Sequence, residues 1–126
     1  MRQLRWLTVQ TVDGGSVPYT SAEIGELSHD GFCALVELRA EAKSTGSCEM
    51  IFDGEAFARL ARIRPPRNKS AGGQQRFMQR GARKVVAELV EKSYVRRLNE
   101  GAGLAEPIEL ELLVETPHWP QEGEAG

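Results

Sequence analysis

Alternation of apolar and polar residues predicts strands in four parts of the chain. Residues 4–12 are rich in β-forming side chains and predict the first strand. Residues 32–42 alternate with one exception, and residues 48–52 alternate after a turn with the sequence KSTGS, so together they predict an antiparallel hairpin. Residues 107–114 place Ile, Leu and Val at every second position from 108 to 114, with Glu109 and Glu111 between the first three, which predicts the last strand.

Capping residues and an apolar stripe predict three helices. Thr20 is followed three residues later by Glu23, which is the spacing of a capping box and predicts a short helix. Asp53 is a suitable N-cap for a helix over residues 54–63. The longest predicted helix covers residues 75–98. Its apolar face consists of Met78, Ala82, Val85, Val86, Leu89 and Ser93.

This order of elements predicts an α+β fold in a single small domain over residues 1–116. We expect an antiparallel or mixed sheet of about four strands with two helices packed on one face. A chain of 126 residues is long enough to bury a core without disulfide or metal staples. Residues 117–126 show no periodicity and predict a disordered acidic tail. The pattern specifies neither strand order nor oligomeric state.

The composition of the chain argues against a membrane-spanning protein, an exported protein and a metal-binding protein. No run approaches the roughly 18 apolar residues that cross a bilayer, so we expect no membrane partner. The N-terminus lacks the continuous apolar block of a signal peptide, which favours a cytoplasmic location. Cys33, Cys48, His29 and His118 lack the closely spaced pairs of a zinc site. We therefore expect free thiols, no metal and no cofactor.

Charge is distributed unevenly along the chain, whose net charge is -2. Residues 57–85 contain nine positive residues and no negative one. Residues 1–56 contain four positive and nine negative residues, and residues 86–126 contain three positive and nine negative ones. Because like charges close together cost free energy unless solvent or a partner compensates them, the central segment is the main candidate for a functional site.

The candidate binding residues lie in the basic segment 59–84. They are Arg62, Arg64, Arg67, Lys69, Arg76, Arg80, Arg83 and Lys84. Arg76, Arg80 and Lys84 are four residues apart and Arg83 follows Arg76 by seven, so we expect all four to share the side of the helix that faces away from its apolar stripe. Arginine forks match phosphate and carboxylate oxygens, which predicts an anion-binding surface. Alternatively, this face is solvated and is neutralised by acidic strand residues such as Glu109 and Glu111.

These observations predict a small cytoplasmic non-enzymatic binding module that engages an acidic partner, either a protein surface or nucleic acid. The acidic remainder of the chain would repel long duplex DNA, which favours a local contact. An alternative is an enzyme or small-molecule binder that uses the arginines to clamp a phosphate or carboxylate, and another is a structural subunit of a larger assembly. No catalytic residue is predicted, since SAGGQQ lacks the P-loop pattern and His29 and Asp30 are merely adjacent.

Two stretches resemble a family of small bacterial α+β domains of unknown function. The first stretch contains Cys48, Ile51, Glu55, Ala56, Phe57 and Leu60, and the second contains Phe77, Lys92 and Tyr94. The similarity requires a shifted register in the second stretch and covers about half of the chain. The resemblance implies a small α+β domain and no particular activity.

Overall fold

The computed structural model describes residues 6–10, 16–99 and 106–113. In chain order its elements are β1 (Trp6–Gln10), β2 (Ser16–Thr20), α1 (Ser21–Glu26), α2 (His29–Thr45), β3 (Glu49–Phe52), α3 (Gly54–Leu60), α4 (Ala71–Glu91), β4 (Val95–Arg97) and β5 (Ile108–Leu112). This mixture of helices and strands confirms the predicted α+β class. The predicted tail over 117–126 lies outside the described residues. Within these ranges, no helix is long and apolar enough to cross a membrane.

The strands form two antiparallel sheets, whereas the sequence predicted one sheet. β1 and β2 pair with each other, and the second sheet has the order β3-β5-β4. Along β5, Ile108, Leu110 and Leu112 are buried and the two glutamates between them are half-buried. The inner face of this sheet, to which Met50 also contributes, therefore belongs to the core. The predicted alternation in β5 is confirmed, whereas β2 and β4 were not predicted.

Residues 32–42 were predicted to form a strand, and this prediction is wrong because they belong to the helix α2. α2 is buried on almost every side, from Cys33 through Arg39. A helix that packs against β2, α3, α4 and β5 has no polar face, so its sequence lacks a helical period. Its polar residues Glu37 and Arg39 alternate with apolar ones, which resembles a half-exposed strand. Consequently β3 pairs with β5 and not with residues 32–42.

Buried charge in α2 is compensated by an ion pair with α1. The Arg39 guanidinium donates to both carboxylate oxygens of Glu23, over 2.8 Å and 2.6 Å. The side chains of Arg39 and Glu23 are 1% and 0% exposed. Glu23 also closes the predicted capping box, because it accepts a hydrogen bond from the Thr20 amide at 2.9 Å. The pair therefore fixes α1 and the end of β2 against α2.

The long helix α4 begins and ends at different residues from those predicted. Ser70 caps its N-terminus, since the Ser70 hydroxyl accepts a hydrogen bond from the Gly73 amide at 3.1 Å. At the C-terminus the Tyr94 amide bonds to the Leu89 carbonyl and the Ser93 amide to the Val90 carbonyl, which is a Schellman motif. Ser93 adopts a positive φ of 66° there. The prediction extended the helix to residue 98 because glycine, the usual residue at this position, is absent.

Glu88 connects α4 to the N-terminus of α2. Its two carboxylate oxygens accept hydrogen bonds from the Ser28 hydroxyl at 2.6 Å and the Ser28 amide at 2.8 Å. The Ser28 hydroxyl in turn accepts from the Gly31 amide and caps α2. A Cβ at Gly31 would lie 2.2 Å from a Glu88 carboxylate oxygen, so the contact requires glycine at that position. The two longest helices are thus joined by a polar contact as well as by apolar packing.

We predict that Leu89→Asp abolishes cooperative folding. Leu89 is 0% exposed in the core, so the substitution would bury an unpaired carboxylate among apolar side chains. Ala87→Asp is the matched control, because Ala87 is exposed two residues away on the same helix. Thermal unfolding followed by circular dichroism should show a transition for the control only. A cooperative transition for Leu89→Asp close to that of the parent would contradict the placement of this helix face.

We further predict that Glu23→Gln destabilises the protein by about 3–5 kcal/mol, because it leaves the Arg39 cation without its buried counter-charge. The same substitution at Glu55 is the control, since Glu55 and Arg59 form a partly exposed pair. That change should cost less than about 1 kcal/mol. Urea unfolding measures both effects. Equal effects of the two substitutions would show that the buried pair is not a special source of stability.

Candidate functional site

The basic segment 59–84 forms the last turn of α3, a loop and most of α4. Of the candidate residues, Arg62, Arg64, Arg67 and Lys69 lie in the loop, and Arg76, Arg80, Arg83 and Lys84 lie in α4. The loop is attached to the helix, because the side-chain amide of Gln74 donates hydrogen bonds to the Pro66 carbonyl at 3.1 Å and to the Lys69 carbonyl at 3.2 Å. The loop cations are therefore held near those of the helix.

Some cations of the segment have partners within the fold. Arg59 contacts Glu55 at 3.2 Å in the same helix. Arg62, which adopts a positive φ of 61° at the end of α3, lies 3.8 Å from the buried carboxylate of Glu37. Arg83 is half-buried at the edge of the packed face of α4. Arg59 and Arg62 thus contribute to the protein's own structure, and Arg83 is less accessible than its neighbours on the helix.

The remaining cations of the segment are exposed. They are Arg64, Arg67, Lys69, Arg76, Arg80 and Lys84. Among the described residues, none of these six has a carboxylate within 4.0 Å. Glu111, which the sequence offered as a neutralising residue, is instead paired with Arg96 at 2.6 Å. We call Arg76, Arg80 and Lys84 the basic ridge, because they lie along the exposed side of α4.

A groove of about 780 Å³ runs beside the basic ridge. Its apolar lining comes from Ile63 after α3 and from Phe77 and Val85 on α4. Gly81 also lines the groove and allows Ile63 to approach the helix closely, since a Cβ there would lie 2.9 Å from the Ile63 Cδ1. Phe77 is 37% exposed, so its ring is available to a partner. The ammonium of Lys69 lies 5.7 Å from the centre of that ring.

Charges of both signs line the groove. Arg80 and Lys84 of the basic ridge line it, and so do Asp30 of α2 and Glu88, which lies one helical turn after Lys84 on α4. Both carboxylate oxygens of Glu88 accept hydrogen bonds from Ser28, so this charge is already engaged. Asp30 lies in the first turn of α2, where the helix dipole stabilises a carboxylate. The cations are consequently the rim charges most available to a ligand.

The candidate residues are only partly brought together by the fold. Arg80 and Lys84 line the groove, whereas the exposed Arg76 belongs to the ridge alone. The groove was not predicted from the sequence. A glycine inside an otherwise regular helix was the available signal, because such a glycine commonly marks a close approach, and Gly81 is one.

Cys33 and His29 place a thiol beside an imidazole, the combination from which a nucleophilic pair could be built. They are four residues apart in α2, and the Cys33 Sγ lies 3.7 Å from the His29 Nε2. Burial raises the pKa of the Cys33 thiol, the nearby Arg62 opposes that rise, and the carboxylates of Asp30 and Glu37 reinforce it. A reactive cysteine needs the opposite shift, since the thiolate is the nucleophile. Neither cysteine forms a disulfide, and no cluster of three or more potential metal ligands occurs in the part of the chain that the structure describes.

The chain matches no protein-family model, no curated protein and no solved structure. The resemblance to a family of small bacterial domains therefore stays a prediction.

We predict that the Cys33 thiol reacts slowly in the folded protein. Its burial and raised pKa lower both access and the thiolate fraction, so alkylation by iodoacetamide at pH 8 should be at least about tenfold slower than in urea. Cys48 is half-buried and serves as the internal comparison. Mass spectrometry of digested samples would follow both sites. Alkylation of Cys33 at the unfolded rate, or a Cys33–Cys48 disulfide in the isolated protein, would contradict this description.

Proposed function

We propose that the protein is a small cytoplasmic, non-enzymatic binding module that engages an acidic partner through the basic ridge and the adjoining loop cations. One observation carries the proposal: six exposed cations of one segment have no carboxylate within 4.0 Å among the described residues. Surface cations concentrated in this way create a positive potential that attracts anionic groups. The arginines add directionality, because a guanidinium can bind two oxygens of one carboxylate or phosphate.

The size and charge of the remaining chain favour a local contact over an extended one. Residues 1–56 carry a net charge of -5, from four positive and nine negative residues, and residues 86–126 carry -6, from three and nine. These parts would repel a polyanion that wrapped around the molecule. A partner that touches only the ridge and the loop avoids this repulsion. The proposed partner is therefore an acidic protein surface or a short stretch of nucleic acid.

An enzyme that clamps a phosphorylated or carboxylated small molecule is the less supported proposal. The groove beside the ridge is lined by Arg80 and Lys84, which suits anion binding. Its potential bases are Asp30 and Glu88, and Glu88 is engaged by Ser28. The Cys33 thiol has its pKa shifted away from the reactive form. Binding therefore accounts for the arrangement with fewer assumptions than catalysis.

We predict that Arg76→Glu combined with Arg80→Glu weakens binding of a polyglutamate peptide or a short single-stranded oligonucleotide by at least about tenfold. Each reversal replaces an attraction of about 1 kcal/mol in water with a repulsion of similar size. Lys43→Glu combined with Lys92→Glu is the matched control, because both lysines are exposed and lie outside the basic segment. The two variants have the same net charge, so a general charge effect would weaken both equally.

Fluorescence anisotropy at several salt concentrations would measure this binding. For an oligonucleotide, each phosphate contact with a single strand contributes about -0.7 to the slope of log K against log salt, so a local patch should give roughly -2 to -4. Absence of binding by both probes at low salt would overturn the proposed function. Binding that does not depend on salt would overturn its electrostatic basis.

A further inference from the structure

The groove beside the basic ridge combines two recognition features that the ridge alone lacks. Its floor is apolar, from Ile63, Phe77 and Val85, and its rim carries the cations Arg80 and Lys84. These two cations are one helical turn apart on the exposed side of α4. The exposed ring of Phe77 beside the two exposed cations suits a ligand that is itself both apolar and anionic.

We propose that the groove binds an acidic peptide segment of a partner protein that inserts an aliphatic side chain between Arg80, Lys84 and Phe77. This inference rests on the proposed function and specifies its partner. The peptide's carboxylates would contact the two rim cations, while the aliphatic side chain would displace water from the floor. Amphipathic peptides commonly bind hydrophobic grooves in this way, with anchor residues one turn apart.

The charge of the rim supports an acidic occupant. Arg80 and Lys84 are exposed, and neither has a carboxylate within 4.0 Å in the described ranges. The carboxylate of Glu88 is held by Ser28 and that of Asp30 lies at the N-terminal end of α2. The two carboxylates are thus partly compensated by the protein, while the two cations are not.

The same lining disfavours nucleic acid as the occupant of the groove. Single strands bind through basic tracks along the backbone and through stacking of bases on aromatic rings. Here the aromatic surface is limited to Phe77, whose ring is approached by Lys69 at 5.7 Å. An aliphatic side chain, unlike a row of bases, can pack against Ile63 and Phe77 without a second aromatic ring.

The test compares three probes on the intact protein by fluorescence anisotropy. The first is a short labelled peptide with two leucines, four residues apart, among glutamates. The second has serine at both leucine positions and the same charge, and the third is a short single-stranded oligonucleotide. We expect the leucine peptide to bind about tenfold more tightly than the serine peptide, because the leucines bury apolar surface in the groove.

Two variants assign this difference to the groove. Phe77→Ala should remove most of the tenfold preference for leucine while leaving the affinity for the serine peptide unchanged. Val90→Ala is the matched control, because Val90 is also exposed on α4, at 41% against 37% for Phe77, and does not line the groove. It should leave the preference intact. The comparison of peptides in the unaltered protein remains decisive even if a variant folds poorly.

The outcomes separate this inference from the proposed function. Equal binding of the two peptides, or a leucine preference that survives Phe77→Ala, would overturn the groove inference and leave the electrostatic function standing. Binding of the oligonucleotide alone would also overturn it and would make nucleic acid the partner. Binding of none of the three probes at low salt would overturn both proposals.

Discussion

The helix α4 has only one face that the core can bury, and the rest of the structure depends on this constraint. Met78, Ala82 and Leu89 lie on the buried face, against which α2, α3 and β4 pack. Arg76, Arg80 and Lys84 are then necessarily on the opposite side, because four-residue spacing keeps them together. The acidic residues of the chain are largely on other elements, where several are already paired. An exposed and incompletely compensated basic surface thus follows from the same packing that stabilises the fold.

One glutamate and two glycines shape the groove beside the basic ridge. Glu88 holds the N-terminus of α2 beside α4 through its two hydrogen bonds to Ser28, and Gly31 leaves room for that contact. Two turns of helix before Glu88, Gly81 lets Ile63 lie close to α4. The Glu88 carboxylate would otherwise oppose an anionic ligand, but its hydrogen bonds to the protein reduce this effect. Local packing requirements therefore also determine which charges the groove offers to a partner.

The elements predicted correctly from the sequence are mainly those that have one face toward the core and the opposite face toward solvent. The apolar stripe of α4 (except Ser93, which lies exposed beyond the helix), the alternation of β5 and the capping box at Thr20 were correctly predicted, because each leaves a periodic or local signal. Residues 32–42 of α2 were assigned to a strand because a helix that is buried on almost every side along its central turns loses that signal. The exposed cations of α4 were predicted from spacing alone. The groove was not, since it depends on how Ile63 approaches α4 across a loop, which periodicity does not encode.

The central claim is that an acidic partner binds at α4 and the loop before it, and amide chemical shifts test this claim most directly. An ¹⁵N-labelled sample would be titrated at low salt with an unlabelled peptide of leucines among glutamates. The account predicts that the largest shifts fall within residues 62–88, with those of Phe77, Arg80 and Lys84 among them. Shifts concentrated instead on the sheet, around the exposed Ile51 and its partner strand, would contradict the account and place the binding surface on the other side of the core.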